Sequence, residues 1–277
     1  MKANYHTHTV FSDGKNTAEE IAQAAIEHGF GYLGFSDHSP VHFEAVWNMQ
    51  YDEMDEYVKT IKEVKEKFEG KIEIFLGMEI DFFDGLNTIE YFKRFGLDYT
   101  IGSVHFLGKL KNGHYFNIDK SNHNFIKGLE EIYDNNVRRL AEDYYAEIVK
   151  MVKNDPPDII AHLNLIEKFN KNNRYIVPED KWYRDLVCPT LDVIAQSNCI
   201  LEINARSLYR DLLDDFAPSY WMIQYAKGKN IPVTISGDVH KTSEFGLYWN
   251  KAVNVLKAAG YSEIVILTNQ GWKEIGL

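Results

Sequence analysis

A parallel α/β barrel of about seven strands is the fold that this sequence predicts, and three observations carry the prediction. Segments of helical and of strand periodicity alternate along the chain. No Ser/Gly/Pro-rich linker or low-complexity tract interrupts the series. Histidines and acids recur where strands end, and in a parallel barrel those ends meet at one face. With 277 residues, 45% of them hydrophobic and 26% charged, the chain is long enough for a barrel-sized core. The unbroken alternation favours a single catalytic domain, residues 1–277, over two smaller ones.

The elements follow in order. In "NYHTHTVFSDG" (4–14), a strand from Asn4 to Thr9 puts His6 and His8 on one face and Tyr5 and Thr7 on the other. "NTAEEIAQAAIEHGF" (16–30) has Ile21, Ala24, Ala25 and His28 at helical spacing, an acidic first turn and Gly29 as its stop. "GYLGFSDHS" (31–39) is the next strand, completing a β-α-β unit. The helix at 54–70 leads to a strand at 71–82, and "LDYTIGSVHFL" (97–107) reads as a short buried strand. A long helical pattern from Asn124 to Val152 precedes a strand in "DIIAHLNLI", and helix-then-strand recurs at 186–204, 221–240 and 250–271.

Composition narrows the function. The formal net charge of −11 repels phosphate backbones and anionic lipid, which argues against nucleic acid and membrane as partners. Two cysteines, Cys188 and Cys199, lack CxxC spacing, and no N-terminal apolar run resembles a signal peptide. The expectation is a reduced cytoplasmic enzyme without disulfides.

An isolated His-x-His is more often a pair of half-exposed strand residues than a metal site. Here the pattern accumulates. His38 ends the second strand, Glu79 lies near the end of the third, His105 of the fourth and His162 of the fifth, and Asp238 and His240 repeat the opening spacing late in the chain. With Asp13 these are nine candidate ligands on one rim. At about four ligands per ion they exceed the need of one metal and suit two or three, with Glu79 as the best bridge. Three divalent ions bring about +6, against three negative charges from Asp13, Glu79 and Asp238. A phosphate monoester and a bridging hydroxide would neutralise the remainder.

"HTH" (6–8), "DH" (37–38), "GMEID" (77–81), "IGSVH" (101–105), "IIAHLNLI" (159–166) and "SGDVH" (236–240) resemble, in order, the motifs of the PHP (polymerase and histidinol phosphatase) superfamily. "YVKTIKEVKEKF", "LDYTIGSVHFL" and "HLNLIEKF" are similar to its histidinol-phosphate phosphatase branch. The resemblance implies a distorted (β/α)7 barrel, a trinuclear metal site, and hydrolysis of L-histidinol phosphate to L-histidinol and phosphate in histidine biosynthesis. It also implies His6, His8, Glu79 and Asp238 around one ion, Glu79, His105 and His162 around a second, and Asp13, His38 and His240 around a third. Some relatives have histidine where this chain has Asp13. Carboxylate and imidazole together accept zinc, iron or manganese, so the ligand types leave the metal open.

Such a reaction needs a nucleophile, neutralised phosphoryl oxygens and a proton for the alkoxide. Arg206, just after a strand at Ile200 to Ile203, is the candidate phosphoryl clamp, with Ser207 as an added hydroxyl contact. The plain alternative for Arg206 is a surface ion pair with Asp211, Asp214 or Asp215. His42, Asp238 and His240 are candidates for the general acid. His42, Phe43, Trp47 and Phe116 are candidate substrate contacts or walls, whereas His28, His114 and His123 read as structural or exposed. Two rival functions are a nucleic-acid phosphoesterase, opposed by the acidic charge, and a metal-binding regulator without turnover, opposed by Arg206 beside a full ligand set.

Overall fold

The computed structural model describes residues 1–43 and 45–277. Its elements are β1 (Lys2–Asn4), α1 (Ala18–Glu27), β2 (Phe30–Phe35), α2 (Met54–Lys67), β3 (Glu73–Leu76), β4 (Glu79–Asp81), α3 (Ile89–Lys93), β5 (Ile101–Ser103), β6 (Phe106–Lys109), β7 (Tyr115–Asn117), α4 (Asn122–Glu131), α5 (Val137–Asn154), β8 (Ile159–Ile160), α6 (Lys181–Ala195), β9 (Ile200–Asn204), α7 (Arg206–Tyr209), α8 (Tyr220–Gly228), β10 (Val233–Ser236), α9 (Trp249–Ala258), β11 (Glu263–Thr268) and β12 (Gly271–Gly276).

Parallel pairing runs β1-β2-β3 in one ladder and β4-β5-β8-β9-β10 in another. Two parallel bridges, His38↔Glu79 and Thr7↔Val239, join the ladders at both ends. With β3 and β4 as one strand interrupted at Gly77 and Met78, the circuit is a distorted (β/α)7 barrel. Its seam closes through His8 N to Val239 O at 2.8 Å and Val239 N to His6 O at 3.1 Å. The buried stripe of α5, Leu140, Ala141, Tyr144, Tyr145, Ile148, Met151 and Val152, is typical of the outer helices. Burying each large apolar side chain contributes roughly 1.5–3 kcal/mol. A capping box at Thr17 and Glu20 starts α1.

Several expected elements are shorter or split. The opening strand is regular only over Lys2–Asn4 and continues extended to the bridge at Thr7, because the segment carrying the two histidines turns its hydrogen bonds to the seam. The 97–107 strand divides at Val104–His105: β5 stays in the ring, and β6 leaves it to pair antiparallel with β7. The long helix from Asn124 breaks between α4 and α5, where Asp134 and Asn135 take φ of 51° and 61°. The last expected strand lies outside the ring, in the antiparallel β11–β12 hairpin. That hairpin is tied in through Tyr5, whose hydroxyl donates to Leu267 O and accepts from Leu267 N, both at 2.8 Å.

Beneath the functional end, fully buried Tyr99 donates to Tyr5 O and lies within 3.1 Å of Phe35 O. It occupies the space that two glycines leave. A Cβ at Gly34 would stand 2.2 Å from the Tyr99 hydroxyl oxygen, and one at Gly77 would stand 2.3 Å from its ring. Gly34→Ala is therefore expected to destabilise the protein by about 3 kcal/mol through overpacking, read as a lower urea midpoint at unchanged m-value. An unshifted midpoint would show that Tyr99 can move aside.

Candidate metal centre

The ends of six of the seven ring strands deliver polar side chains to one place. His6 and His8 follow β1, His38 follows β2, Glu79 opens β4, His105 follows β5, His162 follows β8, and Asp238 and His240 follow β10. Six of these eight are at most 5% exposed, and His38 and His240 are nearly as buried. Asp13 comes from the loop after β1, which is pinned by Asp37: its carboxylate accepts from Thr9 N at 2.7 Å, the Thr9 hydroxyl at 2.9 Å and the Ser12 hydroxyl at 2.6 Å. Burial pushes Asp37 up to about 6, against these hydrogen bonds. Asp238 reaches the centre from a left-handed backbone, φ 52°, a conformation that Asp tolerates better than most residues.

Glu79 is the hub. Its Oε2 lies 3.1 Å from His6 Nε2, 3.4 Å from His8 Nε2 and 3.1 Å from His38 Nδ1, while its Oε1 lies 3.1 Å from His162 Nε2 and 3.8 Å from His105 Nε2. Around it the five imidazoles form a closed circuit. Ring centroids are 5.1 Å apart for His6–His8, 4.6 Å for His8–His38, 5.3 Å for His38–His105, 5.1 Å for His105–His162 and 5.7 Å for His162–His6. His240 stacks near His8 at 4.1 Å, with its Nε2 3.0 Å from Asp13 Oδ1.

Among the described residues, candidate ligand atoms gather in four groups, each mutually within 4.8 Å: His8, Asp13, His38 and His240; His6, His8 and Asp238; His6, Glu79 and His162; His38, Asp81 and His105. All nine residues expected from the sequence are thus brought together. The grouping differs from the expected partition in linking His38 to His105 through Asp81. Two acids that the sequence reading missed, Asp81 and Glu202, support the histidines from behind. Glu202 Oε1 is 2.7 Å from His6 Nδ1, and its Oε2 accepts from His162 N at 2.8 Å and Asn204 Nδ2 at 3.0 Å. Asp81 is hydrogen-bonded to His105 Nδ1. Both contacts fix the Nδ1–H tautomer and turn Nε2 inward.

Several inward atoms are buried without a hydrogen-bond partner among the described residues: His6 Nε2, His8 Nε2, His38 Nδ1, Asp13 Oδ1 and Asp238 Oδ1. Unpaired buried lone pairs are costly in a folded protein, and a set of them converging from imidazoles and carboxylates fits divalent transition metal. The electrostatics agree. Burial would raise Glu79, but His38 and His6 outweigh it and hold the carboxyl well below its ordinary range. Burial, reinforced by His240, brings His8 down to about 3, leaving a neutral ring with a free lone pair. For His38, burial is outweighed by Glu79 and Asp81, which raise it to about 10, so metal binding there releases a proton.

The centre forms one end of a cavity of about 330 Å³, whose wall also includes Trp47, Asp119, Asn164, Lys168, Arg206 and Ser207. Arg206 Nη1 donates to Asp238 O at 2.9 Å and the Tyr209 hydroxyl at 3.2 Å, and lies 2.8 Å from His240 Nδ1. It is not paired with Asp211, Asp214 or Asp215; its nearest carboxylates are Glu244 at 3.7 Å and Asp238 at 4.0 Å. Trp47 stacks parallel on Phe106, centroids 5.4 Å apart, and lines the cavity as expected.

Four other expectations need correction. His42 is exposed and stacks on Tyr51, 2.8 Å from its hydroxyl, away from the cavity wall, so it is neither acid nor contact here. Phe43 inserts among Phe83, Phe106 and Tyr115 and braces its loop instead of facing the cavity. Phe116 is wholly buried against Gly128 and Tyr133, because β7 turns it into the core. Ser207 lines the cavity, but its hydroxyl proton is committed to Asp215 O at 2.7 Å, which removes the expected donation to a phosphoryl oxygen. Among the described residues no helix is long and apolar enough to cross a membrane.

Comparison with known proteins identifies relatives along nearly the whole chain. A "Probable histidinol-phosphatase" of Deinococcus radiodurans is 29% identical over 260 residues, covering 92% of each chain. The histidinol-phosphatase of Bacillus subtilis is 27% identical over 266 residues, 89% of this chain and 96% of its own. The crystal structure of histidinol phosphate phosphatase from Lactococcus lactis, complexed with zinc, L-histidinol and phosphate, superposes with a TM-score of 0.71 at 22% identity over 98% of both chains. Residues 4–206 match the PHP domain family, and with the ring of strands and the polar residues at their ends, this places the chain in that family.

Proposed function

We propose that this protein is a metal-dependent phosphomonoesterase that hydrolyses L-histidinol phosphate to L-histidinol and phosphate on a trinuclear centre. The observation that carries the reading is the Glu79 hub: one carboxylate whose two oxygens face two different sets of imidazoles suits a bridge between ions. The end-to-end similarity to histidinol-phosphatases supports the substrate. His6, His8, Glu79 and Asp238 would hold one ion, Glu79, His105 and His162 a second, and Asp13, His38 and His240 a third, the metals being zinc, iron or manganese. When bound, the ions would supply a hydroxide nucleophile at neutral pH and neutralise phosphoryl oxygens.

The chain's own groups do the rest. Arg206, anchored by the Tyr209 hydroxyl and Asp238 O, presents its guanidinium to the phosphoryl oxygens. Asp238 and His240, 3.3 Å apart, stand where a proton can be held for the departing alkoxide as the P–O bond breaks. Trp47 walls the side on which the alcohol portion lies.

Protein purified without chelator should contain more than one transition-metal equivalent per chain by elemental analysis; full activity at one equivalent or fewer would overturn the trinuclear reading. Among small monoesters, L-histidinol phosphate should give the largest kcat/KM, because binding of the remote imidazole and amine positions the phosphate. Equal values with glycerol phosphate would overturn the substrate assignment.

A further inference from the structure

The cavity carries polar groups on its wall that the phosphate chemistry does not use. Asp119, two residues beyond β7, lines it together with Asn164, Trp47 and Lys168. The only hydrogen bond to the Asp119 carboxylate among the described residues comes from Lys168 Nζ to Oδ2, at 2.9 Å. The side chain is 18% exposed, so what it faces is the cavity and not bulk solvent. Asn164, at 0% exposure, has both its amide oxygen and its amide nitrogen without a hydrogen-bond partner among the described residues, although it lines the same cavity. A carboxylate and an amide oxygen beside an aromatic wall make a subsite for N–H donors. The Asp119 carboxylate repels an incoming phosphate, so it is the cationic part of a substrate that gains from lying beside it.

We propose that Asp119, assisted by the Asn164 amide, is the specificity-determining residue that selects monoesters whose alcohol portion carries a basic nitrogen. The inference rests on the function proposed above and deepens it. In this arrangement the phosphoryl group lies beside Arg206 and the metal ligands, and the cationic part of the substrate lies against Asp119. Lys168 is the resident counter-ion, reaching Asp119 from the loop after β8, and the substrate's cation shares the carboxylate with it. Burial would raise the Asp119 carboxyl, but Lys168 and His105 outweigh it and keep it ionised. Trp47, held flat against Phe106, offers its face to an imidazole or ammonium at the same end.

The test is Asp119→Asn in the metal-loaded enzyme, assayed on L-histidinol phosphate and on p-nitrophenyl phosphate, which carries no basic nitrogen. The ratio of the two kcat/KM values should fall about 30-fold, the size expected for one charge-assisted hydrogen bond. The loss should appear in KM more than in kcat, and product inhibition by L-histidinol should weaken to match. Metal content and inhibition by inorganic phosphate, measured on the same preparation, report whether the metal end is intact. An unchanged ratio, or equal losses on both substrates with metal retained, would overturn the assignment of Asp119. If the wild-type enzyme itself shows no preference for L-histidinol phosphate, the substrate reading fails first and takes this inference with it.

Discussion

Glu79→Gln is expected to lower kcat/KM by roughly 10³-fold or more and to reduce bound metal, a larger effect than any single histidine substitution at the centre. The reason is positional. His162 meets one oxygen of Glu79 and His38 meets the other, so replacing either oxygen with an amide nitrogen breaks the link between two groups of candidate ligands. The change also deletes a negative charge from a buried site crowded with imidazoles, which leaves the remaining ligands to carry more positive charge per carboxylate. His162→Ala removes one ligand and leaves the bridge. Kinetics and elemental analysis on the two variants side by side decide the matter: equal losses would mean that Glu79 is one ligand among many.

Arg206→Ala should lower kcat/KM by about 10²-fold, the loss expected for a charge-assisted clamp of about 3 kcal/mol. A guanidinium ligates no metal, and His240 Nδ1 keeps Asp238 O within 3.0 Å, so metal content should hold. Arg206→Lys should recover only part of the loss, since an ammonium restores the charge without the planar fork. Inorganic phosphate should inhibit the alanine variant more weakly, while L-histidinol inhibition hardly changes. Wild-type inhibition by phosphate would reduce Arg206 to a brace for Asp238 and His240.

The ring of strands and eight of the nine inward candidate ligands, all but the loop residue Asp13, were legible because both follow from periodicity: an apolar run with His, Asp or Glu at its tip marks a strand and its candidate functional end together. The supports were harder to see. Glu202 sits within "ILEIN" and Asp81 within "GMEIDFF", and in each case the signal was an acid inside an apolar strand, a residue that folding tolerates only with a partner. The β6–β7 hairpin was hidden because only Val104 and His105 separate the end of β5 from Phe106 at the start of β6, with no turn residue between them. The helix break was signalled by "YDNN" at 133–136, where Asp and Asn accept the left-handed backbone. His42 and Phe116 were misplaced for the opposite reason: a histidine or aromatic near a rim says little about which way it points. Asp119 and Lys168, far apart in sequence and outside any strand-end pattern, meet only through tertiary structure.

The seam between β1 and β10 sets an order of events during synthesis and folding. Its hydrogen bonds join His6 and His8 to Val239, so the first and last strands of the ring meet at the residues that flank four of the proposed ligands. Contacts spanning more than 200 residues are the slowest to form, because the entropy of closing so long a loop must be met before they return anything. A nascent chain lacking its last 45 residues can fold its β-α units yet cannot complete the centre. On the proposed ligand assignment, metal capture would therefore be a late event, and an ion held by His6, His8 and Asp238 would lock the two ends of the ring together. Chelation should accordingly loosen amide protection first along β1 and β10, before the helices that surround them.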